Sequence, residues 1–353
     1  MTPNINYHAR LAGVLIGCAV GDSLGLASEG LRPDQIRRRW NGKWKQRFIF
    51  GRGMCSDDTE HTFMVAQALL TEPFNAVRFQ RCLAWKLRWW LTGLPAGVGL
   101  ATTRAIFKLW VGFPPNRSGV CSAGNGPAMR SAIIGAFFTE DPAQTHKFVA
   151  ASTRITHTDP RAEIAALAVA EAAAWAINGG ENVEEFLRRL PDCGQNQEWL
   201  NLCRRLSEAY AANESVADFC RSLGLERGVS GYAFHTVPLA LYGWLRHHRN
   251  FKMALTQTLD CGGDTDTVGA IVGALAGASA GVDNIPKEWI ENVCEWPRTL
   301  SLMNNLVVRL EQQKVQQNPI GPLHYFWPGL IFRNLAFLAV VLLHGFRRML
   351  PPY

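Results

Sequence analysis

The chain contains no Cys-x-x-Cys pair. Its nine cysteines (Cys18, Cys55, Cys82, Cys121, Cys193, Cys203, Cys220, Cys261 and Cys294) are scattered and odd in number. That pattern argues against a disulfide framework and a zinc module, and for a reducing, cytoplasmic setting. Strand-like alternation of apolar and polar residues is essentially absent, so no parallel sheet is expected. No repeat occurs at solenoid periods. Long apolar runs are missing too: the longest in the C-terminal segment, Leu335–Leu343, falls well short of a bilayer span. Leu15-Ile16-Gly17-Cys18 superficially resembles a lipoprotein cleavage site. The apolar stretch before Cys18 begins only at Leu11, too late for a signal-peptide core, so a buried helix is the better reading.

Acid is scarce at both ends. The net charge of +7 arises from residues 1–52, with nine Lys or Arg against three acids, and from residues 320–353, with three Arg and no acid. Such segments attract phosphate-bearing partners or simply keep a surface solvated, and no nucleic-acid motif accompanies them.

What is present is helical. At 48% hydrophobic residues, the 353-residue chain can bury a large core. Residues 9–27 carry Gly13, Gly17, Gly21 and Gly25 at every fourth position, a small-residue stripe that admits another backbone. Further helices are expected over 59–71, 126–138, 160–178, 184–190, 197–212, 215–223, 233–247, 265–281 and 287–313. The clearest is 160–178, with Asp159 as cap, Pro160 in the first turn and Gly179-Gly180 as the stop. The expected fold is an all-α, compact single-domain helical bundle over residues 1–315. Residues 316–353 form a linker and an apolar, aromatic tail. That tail reads as a helix docking on the protein or on a second subunit. The lesser reading lays it on a membrane surface, helped by Arg347 and Arg348; no transmembrane span is expected.

Two acidic signatures carry the chemistry: Ser56-Asp57-Asp58-Thr59 and Gly262-Gly263-Asp264-Thr265-Asp266-Thr267. Each sets two carboxylates and hydroxyls where an apolar helical pattern begins. Capping would use one such residue per helix, whereas adjacent carboxylates repel unless a cation or solvent intervenes. Grouped hard oxygen ligands suit Mg²⁺ or Mn²⁺, and four carboxylates would balance two divalent cations. Gly21-Asp22-Ser23-Leu24-Gly25 followed by Glu29 places one acid inside a packed helix and another just beyond it. Gly124-Asn125-Gly126 opens into a helix and offers amides to phosphate oxygens. His157 precedes a helix start; His235 receives no role.

In this order the segments resemble the ADP-ribosylglycohydrolase family over roughly residues 9–310. The resemblance implies an all-α fold and two Mg²⁺ or Mn²⁺ ions at the bottom of an ADP-ribose cleft. It makes Ser56, Asp57, Asp58, Asp264, Asp266 and Thr267 the metal ligands. Gly124, Asn125 and Gly126 match a diphosphate- and ribose-binding loop, and His157 a substrate-contacting histidine. Glu29 matches an acid on a mobile flap, and Asp264 or Asp266 is the expected proton acceptor. Asp159 stands where some members have a second histidine. The implied activity is hydrolysis of ADP-ribosyl glycosidic bonds on a modified protein or small molecule. The alternatives are a non-catalytic, structural or toxin-neutralising member of the same fold, and a dinuclear nucleotide phosphohydrolase, which would call for His ligands such as His61.

Overall fold

The computed structural model describes residues 6–348. The first helices are α1 (Tyr7–Leu26), α2 (Pro33–Trp40), α3 (Asp57–Thr71), α4 (Ala76–Thr92), α5 (Leu100–Trp110) and α6 (Gly126–Met129). Next come α7 (Ala132–Phe137), α8 (Pro142–Arg154), α9 (Pro160–Ile177), α10 (Val183–Arg189), α11 (Gln197–Ala211) and α12 (Val216–Ser222). The last are α13 (Ala233–Arg246), α14 (Phe251–Leu259), α15 (Thr265–Ala280), α16 (Lys287–Glu291), α17 (Leu300–Gln316) and α18 (Gly329–Arg348). The fold is all-α, as expected.

Its axis is the antiparallel pair α1 and α15, which meet through matched glycines. A Cβ at Gly13, Gly17 or Gly21 would fall 2.2, 2.2 and 1.9 Å from the carbonyl oxygens of Gly277, Gly273 and Gly269. At Gly25 it would lie 2.1 Å from the Thr265 oxygen, the carbonyl at the start of α15. Backbone contact this close tolerates no side chain, so the stripe fixes both spacing and register. The register matters for the site. It sets the C-terminal end of α1, with Asp22 and the turn to Glu29, beside the N-terminus of α15 with its acids.

The Ala-rich α9 begins as expected: Asp159 accepts from the Arg161 N–H at 2.9 Å, and Pro160 opens the helix. It packs on α7, where a Cβ at Gly135 would fall 1.8 Å from the Ala170 oxygen. Two expected helices are broken. The 126–138 segment divides into α6 and α7, and 287–313 divides into α16 and α17 around Pro297. Helices α2, α4, α5, α8 and α14 were not anticipated.

The boundary expected near residue 315 coincides with the end of α17, but the chain beyond is fastened down. Ile320 and Gly321 N–H groups both reach the Leu70 oxygen at 3.2 Å. Gln67 brackets Leu323, accepting from its N–H at 2.8 Å and donating to its carbonyl at 3.1 Å. Both α1 and α18 are long and apolar enough to cross a membrane, but that property is shared by core helices of soluble proteins; the apolar window of α1 is 94% buried inside the protein and that of α18 28%. The inner face of α18 is polar as well as apolar. Buried Arg333 pairs with buried Glu295 at 2.5 Å, and Asn334 donates to the Gly93 carbonyl at 2.8 Å. Phe337 and Val340 pack against Leu26, Phe48 and Met54.

Candidate active site

Single backbone bridges, which no strand pattern announces, clip the site loops together. Val120 pairs with His157, Gly124 with Tyr232, and Val229 with Gly263. Gly30 N–H then donates to the Gly263 oxygen at 2.7 Å, and Gly263 N–H to the Leu31 oxygen at 2.8 Å. A continuous run of backbone hydrogen bonds thus links the His157 loop, the glycine loop, the 229–232 loop, the second acidic signature and Glu29. The expected hinged flap at Glu29 is held at its base by the last two of these bonds, so movement there has to break both.

These loops line a cleft of ≈ 690 Å³. Glu29, Asp57, Gly124, Asn125, Gly126, His157, Asp264, Asp266 and Thr267 all face it. Sequence reading missed Thr102, Ser122 and Ser230, which also line it. Ser230 is oriented by His235, whose Nδ1 lies 2.9 Å from its Oγ. No motif marks Thr102 or Ser230, and Ser122, which opens the glycine turn, was given no role by the sequence.

At the cleft floor the two acidic signatures meet. Ser56 caps α3, its Oγ accepting from the Asp58 N–H at 3.2 Å, and also donates to Asp58 Oδ2 at 2.9 Å. Thr267 reaches the same Oδ2 at 3.3 Å. Asp264 does not cap α15 with its side chain; its Oδ2 accepts from Asn125 Nδ2 at 2.7 Å instead. Asp22 lies beneath, fully buried. It accepts from the Ser56 N–H at 2.9 Å and from the Thr59 N–H and hydroxyl at 3.2 and 2.5 Å. Its role is to hold the first signature's backbone, which the sequence did not show.

This crowding raises carboxylate pKa values. Burial lifts Asp22 to about 7 against the pull of its hydrogen bonds. Burial, then Asp22 and Glu60, push Asp57 up; burial, then Asp22, Asp57 and Asp264, push Asp58 up. Asp266 rises through burial, then Glu29 and Asp264. Asp58 Oδ1 and Asp266 Oδ1 are buried with no hydrogen-bond partner. Two orphaned anionic oxygens in a floor rich in carboxylates and hydroxyls fit hard divalent cations. Among the described residues, no three His, Cys, Asp or Glu side chains already stand as a closed ligand set. Ser56 and Thr267 at present turn their hydroxyls onto Asp58, so those oxygens would have to reorient to serve as ligands.

The other wall is neutral or cationic. His157 Nδ1 lies 2.9 Å from the Thr156 hydroxyl, which accepts from buried Arg130 at 2.8 Å. Burial and Arg130 lower His157 to about 3, so its ring is neutral at physiological pH. The glycine loop supplies room more than donors. Gly124 N–H donates to Ser122 Oγ and Asn125 N–H to the Gly231 oxygen, engaging two amides expected to face phosphate. A Cβ at Gly124 would lie 3.0 Å from His157 Nε2, and one at Gly126 3.3 Å from its Cε1. His61 lies outside the cleft lining. It is fully buried, held by Arg130 Nη1 at 3.1 Å from Nδ1, and edge-on to Trp90, so it supplies no metal ligand. Asp159 is a helix cap paired with Arg161 at 2.7 Å.

Two acidic helix N-termini thus converge on a cleft walled by glycines, an arrangement suited to metal-assisted hydrolysis. The chain belongs to the ADP-ribosylglycohydrolase family, whose sequence profile matches residues 3–317. It is 31% identical over 295 residues to an uncharacterised protein of Archaeoglobus fulgidus, covering 80% of this chain and 91% of that one. It is 28% identical over 296 residues to the ADP-ribosyl-[dinitrogen reductase] glycohydrolase of Rhodospirillum rubrum, covering 82% and 91%. A solved ADP-ribosylglycohydrolase-related protein complex superposes with a TM-score of 0.64 at 26% identity, covering 87% of this chain and 99% of that one.

Proposed function

We propose that this protein is a cytoplasmic hydrolase that cleaves the glycosidic bond joining ADP-ribose to an acceptor on a modified protein or a small molecule, with two Mg²⁺ or Mn²⁺ ions as cofactors. The observation that carries this reading is the pair of orphaned oxygens, Asp266 Oδ1 of the cleft lining and Asp58 Oδ1 behind it, where Asp58 is tied to cleft-lining Thr267. Ser56, Asp57 and Asp58 from α3 and Asp264, Asp266 and Thr267 from α15 would hold the cations. When bound, the cations supply Lewis-acid stabilisation of the ribose hydroxyls and neutralise a floor that otherwise favours protonated carboxylates.

The protein's own groups do the rest. Bond cleavage develops oxocarbenium-like character on the ribose, which ionised carboxylates in the floor would stabilise. Asp264, which accepts from Asn125 Nδ2, or Asp266 would take the proton of the attacking water and pass it to the departing acceptor. Glu29 lines the same cleft and would orient the scissile group. Gly124 and Gly126 lack side chains, so a diphosphate can pass close to their backbone and to the neutral His157 ring.

The test is a panel of arginine-linked and serine-linked ADP-ribosyl peptides and O-acetyl-ADP-ribose, each assayed with Mg²⁺, Mn²⁺ and EDTA. The reading requires turnover of at least one substrate that EDTA abolishes. Tight ADP-ribose binding without turnover on any of them would instead make this a non-catalytic member of the family.

A further inference from the structure

Helix α18 lies beyond the family-matched residues and shows the solvent an apolar face. Phe332, Leu335, Leu338, Leu342, Leu343 and Phe346 point outward, with Phe332 and Leu343 each 68% exposed. Their helical spacing makes a single stripe opposite Arg333, Asn334, Phe337 and Val340, which bind the domain. Asn334 fastens this helix to the end of α4, and α4 continues the surface with exposed tryptophans. Trp89 meets Trp85, Trp110 and Trp327 edge-on at 6.1, 6.0 and 5.9 Å between ring centroids.

Charge gives the surface its sign. Residues 73–120, spanning α4 and α5, hold seven Lys or Arg, none of them fully buried, and no acid, and α18 adds exposed Arg347. Between the tryptophans lies an aromatic-walled cavity of ≈ 250 Å³ lined by Trp85, Lys86, Trp89, Arg298, Tyr325 and Trp327. Arg298 is 3% exposed. It pairs with Glu60 through Nη1, while its buried Nε has no hydrogen-bond partner. Lys86, also on this wall, makes no ion pair with an acid among the described residues.

We propose that α18 and the tryptophan face of α4 and α5 dock this protein on an anionic lipid bilayer, with α18 lying in the plane of the membrane surface and the Lys86–Arg298 cavity taking a lipid headgroup phosphate. A bilayer meets each feature at once: the apolar stripe enters the acyl boundary, tryptophans sit at headgroup depth, and the acid-free surface is attracted to anionic lipid. A second copy would set this cationic surface against itself. Spanning would strip Arg333 and Asn334 of their buried partners.

The experiment is flotation of the full chain with phosphatidylcholine vesicles and with vesicles containing 30% phosphatidylglycerol, at low and high salt. The expected result is at least tenfold tighter binding to the anionic vesicles, weakened by salt. The Leu335→Ser/Leu342→Ser variant changes only exposed positions and should lose at least tenfold, with an unchanged melting temperature. Lys86→Gln should weaken binding to the anionic vesicles severalfold and leave the weak binding to neutral vesicles unchanged. Two results overturn the proposal: no preference for anionic vesicles, or wild-type self-association in sedimentation that the double variant abolishes, which would make the occupant a second copy.

Discussion

Asp57 and Asp266 both line the cleft beside other acids, and burial and those neighbours push both above the usual carboxylate range. Replacing either with Ala removes a repulsive charge from the metal-free protein. Asp57→Ala or Asp266→Ala should therefore leave it folded and even slightly more heat-stable, while divalent-cation binding and nearly all turnover are lost. Calorimetry that finds two-site Mg²⁺ or Mn²⁺ binding intact in either variant removes that residue from the ligand set. Gly126→Val tests the opposite wall. Its Cβ would press on the His157 ring at 3.3 Å and fill the space left for a diphosphate. ADP-ribose affinity should fall tenfold or more with metal binding retained. Equal affinity would take this loop out of the site. The acids and the glycine turn were legible because short polar clusters interrupt apolar helical patterns. The partners of Asp22 and Asn125 were not, because they lie far along the chain and meet only in the folded structure; Ser230 was not, because its bond to nearby His235 belongs to no recognisable motif.

At the scale of elements, the glycine stripe on α1 was readable as a close-approach surface, but its partner was not. Only the structure matches Gly13, Gly17 and Gly21 to Gly277, Gly273 and Gly269. Gly17→Ala forces a methyl to 2.2 Å from the Gly273 oxygen, and overpacking a rigid backbone contact costs about 1–3 kcal/mol or more. Urea unfolding should show that loss, accompanied by weaker metal binding, since α1 and α15 jointly set the spacing of the site. Missed helices have a common cause. In α4 the buried Phe79, Leu83, Leu87 and Trp90 keep helical spacing, but exposed Trp85 and Trp89 blur it. In α8 the buried face includes Thr145 and Ser152, which read as surface. The docking helix of the tail was legible, but the segment leading to it was not. Its Gln- and Asn-rich approach reads as linker, yet buried Gln313 ties α17 to the Leu69 oxygen at 3.0 Å. Arg333 also donates to the carbonyl of Cys55, the residue before Ser56, at 2.5 Å. Breaking the buried pair with Arg333→Met should cost about 3–5 kcal/mol, because Glu295 is left without its counter-charge and keeps only the Cys55 N–H. The Arg333→Met/Glu295→Met pair should recover part of this. If Arg333→Met unfolds at the wild-type urea midpoint, the tail is not integral to the domain.

For the whole molecule, two sets of buried groups pull stability in opposite directions with pH. His61, His157 and His248 are held neutral by burial, His157 to about 3 and His248 to about 4. Their unfolded pKa is about 6.5, so their contribution is complete above that value and is lost as pH falls toward the folded pKa. The carboxylates Asp22, Asp57, Asp58 and Asp266 are raised instead, Asp22 to about 7. They favour the fold while protonated, and that contribution drains away as pH climbs from about 4 through their folded pKa values. Between about 4 and 6.5 the two trends offset each other. Above 6.5 only the carboxylate trend remains, so metal-free protein should become less stable as pH rises through 7 toward 8. Cation binding reverses this, because it needs the same carboxylates ionised and releases their protons. Melting temperatures measured in EDTA and in saturating Mg²⁺ or Mn²⁺ at pH 6 and pH 8 separate the terms. The cation-induced rise should be clearly larger at pH 8. An equal rise at both pH values would mean that the cations bind away from these carboxylates, and that the acidic floor is a cost the fold bears for some other ligand.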